Sequence, residues 1–254
     1  VSGPRVAVVV PVYGNEGTLR PLAARLAAAL AGRDWRLRLV VDASPDGSLA
    51  VARELAAADP RVAVTALEVN VGQHRALATG LHVEDADVWV CLDADLQDPP
   101  EAVPALLDRL ARGDAGAVFA GRRGRYESPL RRLTGDAHRR VAARLTGLPP
   151  DAGAFLALGP AVRDAVVAAV LAGSAPSVVL AAGLAGTPLA SVPVERDRRP
   201  EGTSAWTGRA RLRQSLRSLA WAAGRRVSGS RAGRRGRSSS PGGPRSGSGT
   251  GRRP

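Results

Sequence analysis

Methionine and lysine are absent from this chain, cysteine occurs once, and the three aromatic residue types together make up only 3% of it. The single Cys91 excludes an internal disulfide framework and suits a reducing compartment. So few aromatics, with no recognition motif, count against a nucleic-acid-binding role. Because lysine is missing, all 36 basic residues are arginine. With alanine and glycine so abundant, this is the bias that G+C-rich codons produce, and arginine number alone carries little functional weight. No membrane span is expected either. Residues 165–194 hold no charge, yet Gly173, Ser174, Pro176, Gly183, Gly186 and Pro188 interrupt them. A helix, a loop and a strand at Thr187–Val194 fit better than a transmembrane helix. The opening Val-Ser-Gly-Pro-Arg runs straight into a strand, so no signal peptide is expected.

With 254 residues and 44% hydrophobic content, the chain can fill one good-sized core and still carry an extension. Its net charge of +13 is unevenly placed: residues 1–208 carry 23 arginines and 23 acids, whereas residues 209–254 carry 13 arginines and no acid. Three units are expected: a neutral folded domain over 1–208, a basic amphipathic helix over 209–226 and a tail over 227–254. Within the helix, Leu212, Leu216 and Leu219 share one face, and Arg209, Arg213 and Arg217 form a neighbouring stripe. That pattern suits an anionic membrane surface or docking on the domain. The Gly/Ser/Pro/Arg tail has almost nothing to bury, so disorder is expected. Such a tail binds polyanions at low salt whatever its purpose.

Strand and helix patterns alternate over the first two-thirds. Strands are expected at Arg5–Val12, Leu37–Val41, Val62–Leu67, Val88–Leu92 and Ala115–Ala120. Helices are expected at Thr18–Leu30, Ser48–Ala58, Gln73–Val83 and Pro99–Arg112, with Pro, Gly, Asn or Asp at the junctions. This order predicts an α/β fold with a mostly parallel central sheet and helices on both faces. A further arginine-rich helical pattern runs from Leu130 to Leu145 and ends at Gly147-Leu148-Pro149-Pro150.

The densest chemistry follows the fourth strand. Val88–Leu92 is uncharged and reads as buried, and Asp93-Ala94-Asp95-Leu96-Gln97-Asp98-Pro99-Pro100 follows it. Two carboxylates then stand at the carboxyl end of a strand, where open α/β sheets bind ligands. Both would lose hydration there, a cost that a cation between them offsets. Oxygen ligands favour Mg²⁺ or Mn²⁺, which usually bind substrate phosphates as well. A helix cap with a solvated acidic turn is the alternative. Three more clusters end the earlier strands: Pro11-Val12-Tyr13-Gly14-Asn15-Glu16, Asp42-Ala43-Ser44-Pro45-Asp46-Gly47-Ser48, and Asn70-Val71-Gly72-Gln73-His74-Arg75-Ala76-Leu77. Each alone also fits a capped strand-to-helix turn. Together, and in this order, they point to one site.

These motifs resemble family 2 glycosyltransferases of the GT-A fold, nearest to the dolichol-phosphate-mannose synthase and polyprenyl-phosphate glycosyltransferase branch. The resemblance covers about residues 5–206, and its most specific parts are Asn70–Leu77 and Asp93–Glu101. It implies that Pro11, Tyr13, Glu16 and Asp42 line the nucleoside pocket of a nucleotide-sugar donor, with Gly72, Gln73, Ala94 and Ser204 also on the donor side. It implies that Asp93 and Asp95, with Gln97 as a further ligand, hold Mg²⁺ or Mn²⁺ against the donor diphosphate, Asp95 being catalytic in that sense. Arg131 and Arg199 are implied as phosphate clamps, since guanidinium matches phosphate geometry bidentately. Asp151 matches a family acid beside the acceptor, as base or orienting group; a cap on the turn after Pro149-Pro150 is the alternative. The implied reaction is an inverting, metal-dependent sugar transfer to a polyprenyl phosphate. Its expected location is cytoplasmic, peripheral at the inner face of the plasma membrane.

The chain departs from the family pattern in places. After the second strand only Asp42 remains of a usual acid pair, followed by Ala43 and Ser44. Ala154 and Leu156 stand where an acidic or polar residue and an arginine are expected, and Ala205 replaces a lysine. No counterpart of the paired transmembrane helices that often end the polyprenyl members is expected within these residues. Each departure is expected to remove charge from the acceptor and phosphate side. Two rival readings therefore stay open: the same donor chemistry with a soluble acceptor, and a non-catalytic nucleotide-binding domain.

Overall fold

The computed structural model describes residues 3–123 and 147–196. In chain order they form β1 (Val6–Val12), α1 (Leu19–Ala29), β2 (Trp35–Asp42), α2 (Ser48–Ala58), β3 (Val62–Leu67), α3 (Gln73–Val83) and β4 (Val88–Cys91). A 3-10 turn at Pro100–Ala102 leads into α4 (Val103–Leu110), then β5 (Ala117–Arg123), β6 (Leu156–Leu158), α5 (Pro160–Leu171), α6 (Val178–Gly183) and β7 (Leu189–Glu195). The strands make one sheet in the order β3-β2-β1-β4-β6-β5-β7. Only β6 runs antiparallel, to β4 on one side and β5 on the other.

Both faces of this sheet are covered, which is why β1 reads Val-Ala-Val-Val-Val-Pro-Val without a polar residue and is buried throughout. Val6, Val8, Val10 and Val12 join one core with Leu22 and Leu26 of α1, Val51 of α2 and Leu106 of α4. Ala7 and Val9 turn to a second core with Leu77 and Leu81 of α3 and Val162 and Val166 of α5. Each fully buried Val or Leu contributes about 1.5–3 kcal/mol relative to exposure. The second core closes tightly on the sheet: a Cβ at Gly80 of α3 would lie 2.4 Å from Val9 Cγ1 and 2.8 Å from Val40 Cγ2.

The expected strands and helices up to residue 120 are present, with ends that differ by a few residues. Two elements were not expected. β6 is only three residues of apolar chain, too short to show a period. α6 is a six-residue helix whose start is set by Ser177, which accepts a hydrogen bond from the Leu180 amide at 3.2 Å. The expected helix at Leu130–Leu145, the basic helix at 209–226, the tail and the 208 boundary lie outside the described residues. Among the described residues no helix is long and apolar enough to cross a membrane.

Candidate active site

The strand order places β1 between β2 and β4, so the connections after β1 and β4 leave the sheet in opposite directions. A crevice forms at such a switch, outside the carboxyl ends of the strands. Pro11 marks its opening. Pairing between β1 and β4 ends at Val9 and Cys91, with the Leu92 amide donating to the Val9 carbonyl at 3.1 Å. Pro11 lies two residues further on and has no N–H to offer, so the two strands part there.

The loop after β4 leaves the sheet at this edge with an alternating burial pattern. Ala94, Leu96 and Asp98 are buried, whereas Asp93, Asp95 and Gln97 are half-buried. The three expected ligands are therefore the partly exposed residues of one short segment. Burying Leu96 puts its backbone at φ +60, a conformation that bulky residues rarely adopt and that tends to collect at functional sites. The Gln97 amide donates to Asp95 Oδ1 at 3.0 Å, and Gln73 Nε2 donates to Asp93 Oδ1 at 2.6 Å. Cys91, immediately before, is fully buried; burial and the nearby Asp93 charge push its thiol well above the usual range, so it packs as a small apolar group. No cluster of three or more His, Cys, Asp or Glu side chains suited to a metal occurs among the described residues. Two carboxylates plus substrate oxygens are, however, how Mg²⁺-type sites are commonly built, so this donor set fits such an ion.

The expected donor-side residues that are described, Pro11, Tyr13, Glu16, Asp42, Gly72, Gln73 and Ala94, lie at or after strand ends on the same edge of the sheet, in differing environments. Tyr13 is 47% exposed. Pro11 and Ala94 are buried. Asp42 is buried as well, and its carboxylate accepts from the Val71 amide at 2.7 Å and the Gly72 amide at 2.8 Å. Glu16 accepts from the Gly47 amide at 2.9 Å, next to the first turn of α2.

Sequence reasoning noted Ser44, Asp46 and Ser48 only as parts of a motif. They stitch the loops after β1 and β2 together. Ser44 Oγ accepts from the Gly14 amide at 2.8 Å, Ser48 Oγ from the Asn15 amide at 3.0 Å, and Asp46 from the Glu16 amide at 3.1 Å. Burial raises the Asp46 carboxyl, but hydrogen bonds from the Ser44 and Ser48 side chains and the Glu16 and Ser48 amides outweigh it and hold its pKa at about 2. His74 behaves as a packed residue. Its Nδ1 is buried without a hydrogen-bond partner among the described residues, and burial pushes the imidazole down to about 4.

Asp151 stands on the same sheet edge, further along. Ser191 Oγ of β7 donates to Asp151 Oδ2 at 3.4 Å, while Asp151 Oδ1 is buried with no partner among the described residues. A Cβ at Gly121 of β5 would lie 2.1 Å from Asp151 Oδ2, so only glycine leaves the carboxylate its place. One expectation about the departures needs correcting. Leu156 is fully buried in β6 between Cys91 and Phe119, so leucine there removes no charge from an acceptor surface. Arg131, Arg199, Ser204 and Ala205 lie outside the described residues.

A mostly parallel sheet that opens at a switch point, with two carboxylates after its fourth strand, is a ligand-binding arrangement of α/β domains, and the likeness to known proteins narrows it. The family model described as "Glycosyl transferase family 2" matches residues 7–155, and the chain belongs to that family. The undecaprenyl-phosphate 4-deoxy-4-formamido-L-arabinose transferase of Pectobacterium carotovorum subsp. carotovorum (strain PC1) is 39% identical over 146 residues, covering 56% of this chain and 44% of that protein. The protein of the same name from Pseudomonas aeruginosa (strain LESB58) is 37% identical over 171 residues, covering 66% of this chain and 49% of the relative. The chain thus spans about half the length of the curated relatives it matches. Among solved structures, mannosyl-3-phosphoglycerate synthase from Rubrobacter xylanophilus superposes with a TM-score of 0.61 at 18% identity, covering 95% of this chain and 79% of the other. Glucosyl-3-phosphoglycerate synthase from Mycobacterium tuberculosis, solved with Mn²⁺, UDP-glucose and phosphoglyceric acid, has a TM-score of 0.58 at 21% identity, covering 88% of this chain and 80% of the other. The fold is GT-A.

Proposed function

We propose that this protein transfers a sugar, with inversion, from a nucleotide-sugar donor to a polyprenyl phosphate, using Mg²⁺ or Mn²⁺ held by Asp93, Asp95 and Gln97. The observation that supports this reading is the alternation along the loop after β4, where those three residues stay partly exposed while Ala94, Leu96 and Asp98 are buried. A divalent ion bound there supplies Lewis-acid neutralisation of the charge growing on the leaving diphosphate. The chain's own residues hold the parts in place. Gln73 orients Asp93, the Gln97 amide orients Asp95, and the cross-linked loops after β1 and β2 shape the wall against which the nucleoside rests.

On the acceptor side, a lipid phosphate is already an anion near neutral pH and needs positioning more than deprotonation. Asp151, on the same edge beside Gly121, is the orienting group in this reading. The naming of the two curated relatives as undecaprenyl-phosphate transferases supports a lipid acceptor. In this account the basic segment 209–226 lies against the anionic membrane surface that presents it. Purified protein is incubated with labelled nucleotide sugars, Mn²⁺ and polyprenyl phosphate in liposomes, beside Asp95→Ala. Labelled lipid from wild type alone is the expected result. No product from any donor, with Asp95→Ala binding donors as well as wild type, overturns the reading.

A further inference from the structure

We infer that Asp42 is a positioning residue for Asp93, acting across β1 through the β3–α3 loop, rather than a contact for the donor's nucleoside. The inference rests on the reading that Asp93 belongs to the metal and diphosphate site. Asp42 ends β2 and is only 3% exposed. Its two carboxylate oxygens accept separately, one from the Val71 amide at 2.7 Å and the other from the Gly72 amide at 2.8 Å. Asn70 Nδ2 closes the same loop on the Asp42 carbonyl at 3.1 Å. Bonds to an ionised acceptor are roughly twice as strong as neutral ones. So buried and so engaged, this carboxylate has little left to offer a ligand.

What the bonds hold is a loop in one of the several conformations open to it. Gly72 sits at φ 88 and ψ 151, a region open almost only to glycine, which is itself free to leave it. The next residue is Gln73, the first of α3, and its Nε2 reaches Asp93 Oδ1 at 2.6 Å. The run Asp42, Gly72, Gln73, Asp93 therefore links the end of β2 to the end of β4. Of the usual acid pair at the end of β2 only Asp42 remains, and its work is to set the rotamer of a ligand two strands away. Partners of this kind typically change metal affinity 10–100-fold when altered.

The test compares Asp42→Asn, Gln73→Ala and the double variant. Mn²⁺ affinity is read from the EPR signal of free Mn²⁺ in the presence of UDP or GDP, and nucleotide affinity in EDTA by calorimetry. Both single variants are expected to weaken Mn²⁺ roughly tenfold, the double no further, with nucleotide binding in EDTA unchanged. Weakened nucleotide binding in EDTA for Asp42→Asn alone, or additive losses of Mn²⁺ affinity, overturns the inference. A metal-free readout separates this from failure of the metal reading. The Gln73 side-chain amide is expected to be shifted and exchange-protected by NMR in wild type and to collapse to free values in Asp42→Asn. If Asp93→Asn leaves Mn²⁺ affinity unchanged while that collapse occurs, the metal reading fails and the positioning stands. An unaltered Gln73 amide ends the inference whatever the metal does. Should Asp42→Asn not fold, Asn70→Ala loosens the same loop more gently, and a smaller shift in the same direction is expected.

Discussion

Arg196, just past the end of β7, grips Asp98 with a two-pronged ion pair: Nε to Oδ1 at 2.6 Å and Nη2 to Oδ2 at 3.1 Å. The Asp98 side chain is 3% exposed and that of Arg196 is 21% exposed. Asp98 belongs to the loop that presents Asp93, Asp95 and Gln97, so this pair ties the proposed metal loop to the far edge of the sheet. Removing one partner of a buried pair leaves an uncompensated charge, which typically costs about 3–5 kcal/mol. Arg196→Met is expected to lose about 3 kcal/mol in urea unfolding, the low end because Arg196 is partly solvated. Asp98→Leu combined with Arg196→Met is expected to cost less than Arg196→Met alone. A double variant worse than either single one rejects this account.

The Asp46 network gives a pH signature. Its carboxyl is held at about 2, against an ordinary value of 3.8, so the folded state favours the ionised form. The stability this contributes is fully present above the unfolded value and is lost as pH falls toward the folded one. Asp46 is exposed, and after discounting for solvent its worth is under about 1 kcal/mol. Asp46→Asn is therefore expected to be slightly less stable than wild type at pH 6, with the gap narrowing from pH 4 downward. Denaturant midpoints across that range measure it, and a gap that widens in acid contradicts the assignment.

Gly80 is a test of packing. Alanine there gains about 1 kcal/mol of helix propensity, but its Cβ would meet Val9 and Val40 at 2.4 and 2.8 Å, and both are fully buried. Overpacking of this kind costs about 1–3 kcal/mol, so Gly80→Ala is expected to be net destabilising, lowering Tm by a few degrees. An unchanged or higher Tm would show that α3 can shift off the sheet.

Much of this was legible before any coordinates. β1 and the run before Asp93 announced buried parallel strands by lacking charge, and Pro, Gly and Asp at the junctions set the helix starts. The acids after β4 stood out because they follow such a run directly. What stayed hidden depends on long-range contact. β6 is three apolar residues with no period of its own, and Leu156 looked like a lost site arginine until its place between β4 and β5 was seen. Arg196 was one arginine among many in a chain biased toward that residue, and nothing local linked it to Asp98. The engagement of Asp42 with the Val71 and Gly72 amides was equally invisible, because an acid at the end of a strand looks the same whether it faces a ligand or a loop.

Gly121 and Asp151 offer a coupling that is independent of any assay for turnover. A Cβ on residue 121 would fall 2.1 Å from Asp151 Oδ2 and 2.8 Å from Cγ. Gly121 is paired to Pro193 within the sheet, so the strand has little freedom to move aside. Gly121→Ala must therefore push the carboxylate out of its place. It is expected to destabilise the protein when Asp151 is present and to do so far less in the Asp151→Ala background, a coupling of about 1–2 kcal/mol by double-mutant cycle. If Asp151 orients the acceptor, Gly121→Ala also raises the apparent KM for lipid phosphate while leaving donor binding in place. Additive stabilities across the cycle would mean that Asp151 does not sit against β5. A lowered affinity for the donor alone would move Asp151 from the acceptor side to the nucleotide side.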